Sequence, residues 1–295
     1  MQSKNKTIAT TARTREILNT YNLRAKKNFG QNFLVDASVT GRMASTLRND
    51  GVVIEVGPGI GSLTEELAKR AKHVRSYEID ERLIPVLEDT LKDYDNVEIV
   101  LQDILETDIN KELQPLVEKY KHIEFAANLP YYITTPVLFK LFESSIPFEK
   151  IVVMIQKEVA DRFSAKPGTK EYGALSVESQ YLYDVKKLFN VPRTSFNPAP
   201  NVDSAVISFT KHEKNKAVDN EELFFELVKA CFKQRRKTLY NNLREYFDSK
   251  EKAESLLLKA NIPLETRAEM LDLNLYIELY KALKEIITNE RESLC

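Results

Sequence analysis

Short apolar runs alternate with helical patterns along the first half of the chain. The run at 51–57, GVVIEVG, is bounded by glycines and is typical of a buried strand. Further strands are predicted at 73–79, 96–103, 122–128 and 151–156, with helical patterns between them. This alternation predicts βαβ units, and therefore a parallel sheet with helices on both faces.

Two of the predicted helices carry capping signals. Asp36 can cap a helix that runs to about Arg48. Ser62 and Glu65 have the S-x-x-E spacing of a capping box, which predicts that the helix after the first strand opens at Ser62.

The pattern changes after Lys157. Two segments, 174–189 and 203–210, predict long strands around a proline-rich loop, so we expect an antiparallel pair at the sheet edge. From about Glu221 the chain is predicted to be helical throughout. The polar stretch between these regions predicts a boundary. The expected divisions are a basic N-terminal arm at 1–30, an α/β sheet domain at 31–212 and a helical domain at 213–295.

Composition limits the class of protein. Of 295 residues, 43% are apolar, which is enough for a sizeable core, yet no apolar run approaches the ~20 residues that a membrane helix needs. The first twenty residues lack a signal-peptide core, so a cytoplasmic protein without a membrane partner is expected. Two cysteines, Cys231 and Cys295, and three histidines predict neither a disulfide framework nor a metal site.

Charge is segregated, although the net charge is only −1. Residues 1–30 carry seven basic side chains against Glu16 alone, a second basic cluster lies at 233–237, and 78–112 is acidic. Such segregation favours a phosphate-binding face, while ordinary solvated surfaces are the alternative.

The stretch EVGPGIG, at 55–61, joins the first strand to a helix. Glycines at such a turn let the backbone approach a ligand closely. The spacing differs from the G-x-G-x-x-G dinucleotide fingerprint, which argues against a nicotinamide-dependent oxidoreductase. A plain strand–helix turn is the alternative interpretation.

Polar side chains also follow the next three strands. Glu78 ends the second, Asp103 follows the third and Asn128 ends the fourth. Because ligands bind at the carboxyl ends of strands in open α/β sheets, these groups are expected along one rim. One carboxylate can accept from ribose hydroxyls and another from an adenine amino group. A nucleoside ligand without a pyrophosphate is therefore predicted.

At this point the chain resembles the ribosomal RNA adenine dimethyltransferase family, in motifs that occur in this order: KKNFGQNFLVD, EVGPGIGSLTEELA, NLPYYITTP, NPAPNVDSAV and QRRKT. The likeness extends from about Thr14 to the C-terminal helices. It is closest to bacterial enzymes that dimethylate two adjacent adenosines near the 3′ end of small-subunit rRNA. It implies an α/β, Rossmann-like class I methyltransferase domain with a mostly parallel seven-stranded sheet and an antiparallel edge hairpin, plus a small all-α C-terminal domain.

The resemblance implies S-adenosylmethionine as methyl donor, S-adenosylhomocysteine as product and no metal. The donor-binding residues it implies are Asn32, Leu34, Gly57, Gly59, Glu78, Asp103 and Asn128. The catalytic residues it implies are Asn128, Leu129, Pro130 and Tyr131. The expected RNA contacts are Arg24, Lys26, Lys27, Lys233, Arg235, Arg236 and Lys237.

Chemistry at N6 needs a flipped or unpaired adenosine, because N6 is inaccessible within a helix. Such a base can stack on aromatic side chains, and Tyr131 and Phe196 are expected to hold it from its two sides. Alternatives stay open at several positions. Asn32 is also compatible with a helix-entry turn, Leu34 and Phe196 with core packing, and Tyr132 is expected to pack in the core.

The expected partner is small-subunit rRNA within an assembling 30S particle, bound by a monomer. Two other functions remain open: a large-subunit rRNA methylase of the antibiotic-resistance type, and a ribosome-assembly factor whose binding matters more than its methylation.

Overall fold

The structure is a computed structural model that describes residues 7–25, 30–212 and 218–292. Its strands are β1 (Phe33–Leu34), β2 (Val52–Val56), β3 (His73–Glu78), β4 (Val97–Leu101), β5 (Ile123–Asn128), β6 (Lys150–Gln156), β7 (Tyr183–Val191), β8 (Phe196–Asn197) and β9 (Ser204–Lys211). Its helices are α1 (Thr11–Thr20), α2 (Ala37–Ser45), α3 (Ser62–Ala68), α4 (Ile84–Thr90), α5 (Ile109–Lys119), α6 (Thr134–Glu143), α7 (Lys157–Phe163), α8 (Ala174–Leu182), α9 (Glu221–Cys231), α10 (Leu239–Phe247), α11 (Lys250–Lys259) and α12 (Leu273–Glu292).

Seven strands form the main sheet, in the order β4-β3-β2-β5-β6-β9-β7. The pairs from β4 to β6 are parallel, and β9 runs antiparallel to β6. All five residues of β2 are buried, as expected for a strand covered by helices on both faces. The predicted mostly parallel sheet with an antiparallel edge is confirmed.

The chain divides into two compact units. The first, here called the sheet unit, contains the described residues up to Ala160 and Lys186–Lys211. The second, the helical unit, contains Asp161–Val185 and the described residues from His212 onward. The predicted division at 212/213 stays a prediction, and the units differ from it in grouping Asp161–Val185 with the C-terminal helices.

The described part of the predicted N-terminal arm belongs to the sheet unit. Ile8 and Ile17 are buried in one apolar cluster with Leu83 and Leu87. The backbone N–H of Ile8 donates to the buried carboxylate of Glu65, at 2.9 Å.

Two local predictions were wrong. Residues 174–182 form a helix, α8, and the strand begins only at Tyr183. Val177 and Tyr181 are both buried at i, i+4 spacing, which places them on one helical face. The alternation of polar and apolar residues within 174–182 favours a strand, but burial of Val177 and Tyr181 on one face stabilises a helix instead.

The second error is the Ser62–Glu65 capping box, although the helix begins at Ser62 as predicted. Gly61 caps α3 from the left-handed region, at φ 93°, so Ser62 is already the first helical residue. Glu65 instead accepts hydrogen bonds from Ile8 and from the Tyr94 hydroxyl.

Within residues 7–25, 30–212 and 218–292, no helix has both the length and the apolar character required to cross a membrane. These same residues contain no group of three or more His, Cys, Asp or Glu side chains that could hold a metal ion.

Candidate active site

The carboxyl ends of β2, β3, β4 and β5 lie side by side and open onto one cavity. Its volume is about 190 Å³, more than ten times the ~15 Å³ that a single water needs. Gly57, Glu78, Asp103 and Asn128 all line it. The four polar or glycine-bearing strand ends that the sequence singled out are therefore brought together, at the edge where open α/β sheets bind ligands.

The glycine loop borders this cavity in a conformation that requires glycine. Gly57 and Gly59 have φ values of 69° and 61°, which side chains with a Cβ rarely adopt. A Cβ on Gly59 would lie 3.4 Å from the ring of Phe33. The backbone can thus pass close to a bound molecule, with Phe33 on one side.

Glu78 is held in place by three backbone donors. Oε1 accepts from the N–H groups of Ile79 and Asp80, at 2.9 and 2.8 Å, and Oε2 accepts from Gly59, at 3.3 Å. Its side chain is buried, and this burial raises the pKa of the Glu78 carboxyl despite the three N–H groups. Each carboxylate oxygen has two lone pairs, so Oε2 retains acceptor capacity toward the cavity.

Asp103 is fixed by its own turn. Oδ1 accepts from the N–H of Leu105, at 2.8 Å, while its backbone carbonyl accepts from the Thr107 hydroxyl, at 2.7 Å. This Asx turn orients the carboxylate and leaves Oδ2 able to accept another hydrogen bond.

A short strand pair connects two distant segments to the cavity. β1 pairs antiparallel with β8, so that Leu34 lies opposite Phe196 and Phe33 opposite Asn197. Leu34 and Phe196 line the cavity and are also core residues. The alternatives of ligand contact and core packing are thus compatible at both positions.

Asn32 and Gln31 precede this strand and line the same cavity. The Asn32 side chain donates to the Gly30 carbonyl, at 2.9 Å, and Gln31 donates to Asp80, at 2.8 Å. These bonds stabilise the path of the N-terminal segment past the carboxyl end of β3.

The NLPY stretch presents acceptors at the end of β5. The Leu129 N–H donates to Met154 on the neighbouring strand, at 3.2 Å. Among the described residues, neither the Asn128 side chain nor the Leu129 carbonyl has a hydrogen-bond partner. Pro130 follows and has no N–H to satisfy them.

Tyr131 is oriented by a contact to a distant strand. Its hydroxyl lies 2.9 Å from the Ser204 hydroxyl, at the start of β9. Half-burial raises the pKa of the Tyr131 hydroxyl, and the bond to Ser204 opposes that shift. The ring is therefore held in one orientation at the cavity wall.

The chain matches the family described as ribosomal RNA adenine dimethylase over residues 22–285. It belongs to this family. Ribosomal RNA small subunit methyltransferase A of Bacillus licheniformis is 48% identical over 291 residues, covering 96% of this chain and 99% of that protein. The protein of the same name from Streptococcus gordonii is 50% identical over 284 residues, or 94% and 98% of the two chains.

Two solved structures of similar fold are also informative. A dimethyladenosine transferase from Plasmodium falciparum has a TM-score of 0.72 and 27% identity, covering 86% of this chain and 98% of that one. The 23S rRNA methyltransferase ErmE has a TM-score of 0.66 and 29% identity, covering 86% and 100%. Both likenesses agree with the class I methyltransferase fold expected of a ribosomal RNA adenine dimethylase.

Not every residue that lines the cavity of this adenine dimethylase was identified from the sequence. Ile79 and Tyr132 line the cavity as exposed side chains, although Tyr132 was predicted to pack in the core. The signal available for Ile79 was its position directly after Glu78 at a ligand-binding strand end. The exposure of Tyr132 depends on the turn at Tyr131–Ile133, which its apolar neighbours did not reveal.

The predicted RNA contacts are not equivalent. Arg24 is exposed, while Lys26 and Lys27 lie outside the described residues. In the helical unit, Arg235 donates to the backbone carbonyls of Lys170 and Tyr172.

The other three predicted RNA contacts in the helical unit differ in their surroundings. Lys233 and Lys237 both pair with Glu245, at 2.8 and 3.6 Å. Arg236 is exposed and has no ion pair or hydrogen bond within the described chain. It is therefore the member of this cluster best placed to bind an anion.

Glu55, at the end of β2 behind the glycine loop, is a buried carboxyl group. Its Oε2 accepts from the hydroxyls of Thr64 and Ser76, at 2.8 and 2.6 Å, and so joins β2, α3 and β3. Burial raises the pKa of Glu55 to about 7, and the two hydroxyl bonds oppose this shift.

We expect Glu55→Gln to remove one component of the pH dependence of stability. Folding raises the pKa of Glu55 from 4.5 to about 7. The protonated carboxyl therefore contributes to the free energy of unfolding in full below pH 4.5, and this contribution is lost as the pH rises through 7. The loss is on the order of 3 kcal/mol, and an uncharged glutamine retains an acceptor for both hydroxyls. Denaturant unfolding between pH 5 and 8 measures the difference. Parallel pH profiles for the two proteins would contradict the shifted pKa.

Proposed function

We propose that the protein transfers methyl groups from S-adenosylmethionine to N6 of two adjacent adenosines near the 3′ end of small-subunit rRNA, during ribosome biogenesis. The observation that supports this proposal is a pair of acceptors, the Asn128 amide and the Leu129 carbonyl, that have no hydrogen-bond partner among residues 7–25, 30–212 and 218–292 and lie beside a cavity bordered by Glu78 and Asp103. The names of the relatives at 48–50% identity agree with a small-subunit substrate.

The residues around the cavity fit the donor. Glu78 retains acceptor capacity for ribose hydroxyls, and Asp103 Oδ2 can accept from an adenine amino group. The glycine loop at 57–59 leaves room for the methionine part, with Asn32 and Leu34 completing the wall. When bound, S-adenosylmethionine supplies an electrophilic methyl group on a sulfonium.

The role of NLPY follows from the chemistry of an aromatic amine. The N6 lone pair of adenine is delocalised into the ring, so N6 is a poor nucleophile. Acceptors on its hydrogens, from Asn128 and Leu129, favour the tetrahedral geometry that directs the lone pair out of the ring plane. Pro130 stiffens the loop that carries them. The contribution is positioning and electrostatics.

No strong general base is needed. The methylated amine is cationic and very acidic, so water can take its proton. A second methylation uses a substrate with one N6 hydrogen left, and one acceptor then suffices to orient it. Tyr131, held by Ser204, supplies one face for the base, and Phe196 lies on the wall beside Leu34.

The test is methyl transfer from labelled S-adenosylmethionine to undermethylated small subunits and, separately, to large-subunit rRNA, with product nucleosides identified by mass. We expect N6,N6-dimethyladenosine in the small subunit alone. Label confined to the large subunit would favour a methylase of the kind named for ErmE. Donor binding without transfer to either would favour an assembly factor.

RNA contacts in the helical unit are the second part of the proposal. The ion pairs of Lys233 and Lys237 with Glu245 are exposed and therefore contribute little to the stability of the protein. Glu245 competes with RNA phosphates for these two lysines. Such phosphate contacts position the RNA without reading its sequence. The cytoplasmic location, the monomeric state and the assembling 30S particle as partner remain predictions.

We expect Glu245→Gln to tighten RNA binding, because it releases Lys233 and Lys237 toward phosphates. The slope of log affinity against log salt should become steeper by on the order of one unit. Arg236→Ala should do the opposite, with weaker binding and a shallower slope. Affinity for small-subunit RNA between low and moderate salt gives both slopes. Unchanged slopes in both variants would place the RNA elsewhere.

A further inference from the structure

Tyr132 is an aromatic side chain that the proposed mechanism does not use. It follows NLPY directly, lines the cavity and is 56% exposed. Its surroundings differ from those of Tyr131. The Tyr131 hydroxyl is bonded to Ser204, whereas the Tyr132 hydroxyl has no hydrogen-bond partner among the described residues.

The ring of Tyr132 lies against the N-terminal segment of the cavity wall. A Cβ built on Gly30 would be 3.5 Å from Cδ1 and 3.6 Å from Cε1 of that ring, and 3.5 Å from Cβ of Pro130. Gly30 itself has φ 59°. The absence of a side chain at Gly30 lets backbone and ring approach closely.

This backbone is itself anchored to the ribose side of the cavity. Gln31 donates to Asp80, which follows Glu78 by two residues, and Asn32 donates to Gly30. Tyr132 therefore packs on a segment whose position is fixed relative to the carboxyl end of β3.

The charged groups that act on Tyr132 lie at the carboxyl ends of β3 and β4. Burial first, then the carboxylates of Asp103 and Glu78, raise the pKa of its hydroxyl. These are the two carboxylates placed to bind adenosine. The two consecutive tyrosines thus diverge, one toward β9 and the other toward the ends of β3 and β4.

We propose that Tyr132 covers the adenosine part of the methyl donor, as an aromatic wall that holds donor and product in the cavity. The inference rests on the proposed function and extends it. Tyr131 contacts the target base, while Tyr132 contacts the nucleoside of the donor. Because each methyl group requires a fresh donor, this contact also sets how fast S-adenosylhomocysteine leaves between transfers.

The test compares four proteins for binding of S-adenosylmethionine and S-adenosylhomocysteine by titration calorimetry and stopped-flow: wild type, Tyr132→Ala, Tyr132→Phe and Tyr246→Ala. The last removes a 39% exposed tyrosine from α10, in the helical unit, and serves as the matched control. Loss of one aromatic–base stacking contact should raise Kd roughly tenfold, with faster dissociation of the product. Phenylalanine should restore wild-type binding, since the hydroxyl has no hydrogen-bond partner in the described part of the chain.

Thermal unfolding of each variant separates a loss of contact from a loss of fold, and Tyr132→Leu replaces the alanine variant if the latter unfolds. Unchanged donor Kd in Tyr132→Ala, with or without a raised KM for RNA, would overturn the inference, and a raised KM would assign Tyr132 to a base of the RNA. Failure of the wild type to bind either nucleoside would instead overturn the proposed function itself.

Discussion

Asn128→Ala is expected to lower the rate of methyl transfer by about 100- to 1,000-fold, with a much smaller effect on donor binding. The side-chain oxygen is one of two acceptors available to orient N6, and it has no other partner in the described chain. Without it only the Leu129 carbonyl remains to orient the two hydrogens of the unmethylated amine, so the lone pair is directed less well out of the ring plane and attacks more slowly. Single-turnover transfer to undermethylated small subunits measures the chemical step directly.

Asn110→Ala provides the matched control for this variant. Asn110 is an exposed residue at the start of α5, whose side chain accepts from Ser145. Its replacement should leave transfer unchanged. Retention of more than about a tenth of the rate in Asn128→Ala would contradict the positioning role, since removal of one preorganised group normally costs more. Binding of this variant to small subunits without transfer would also separate catalysis from assembly.

Glu78→Gln is expected to weaken donor binding by about 100-fold, because hydrogen bonds to a charged acceptor contribute about 1.5–3 kcal/mol each. Glutamine has one N–H₂ group in place of a carboxylate oxygen, and this donor would face the backbone N–H of Gly59 or those of Ile79 and Asp80. The hydrogen bonds at that position would be lost. Titration with S-adenosylhomocysteine measures the loss. Glu106→Gln, an exposed carboxyl three residues after Asp103, is the control and should bind normally.

The sign of the pH dependence follows from the same carboxyl group. Burial raises the pKa of Glu78, so its charged form is lost at a less acidic pH than for an ordinary glutamate. Donor affinity should therefore fall as the pH decreases through that pKa, and Glu78→Gln should lack this fall. A wild-type affinity independent of pH between 4 and 8 would contradict a charged Glu78 as the ribose acceptor.

Much of the sheet and its functional edge could be predicted because they depend on short-range patterns. Largely apolar runs such as Val52–Val56, in which Glu55 is the one polar residue, identify strands that helices cover on both faces. The polar residue that ends each run then marks the ligand-binding edge, since parallel strands share a direction. The helix over 174–182 was mispredicted because a local alternation of polar residues competed with a helical face at Val177 and Tyr181.

Contacts between distant segments could not be predicted in this way. Phe196 reaches the cavity only because β8 pairs with β1, and Tyr131 is oriented only because Ser204 begins a strand 73 residues later. The pairing of Lys233 and Lys237 with Glu245 likewise depends on how α10 follows the basic turn.

The sequence by itself determined the alternation of strands and helices from β2 to β6, the glycine loop, the acidic and amide residues at the strand ends and the family. Each of these is encoded in the spacing of neighbouring residues. Only the tertiary structure decided which acceptors lack a partner within the described segments, which basic side chains are paired with a carboxylate, and that Tyr132 lines the cavity while Tyr131 is held by β9. Those properties depend on atoms brought together by packing of remote segments, and side-chain hydrogen bonds form or fail over fractions of an ångström.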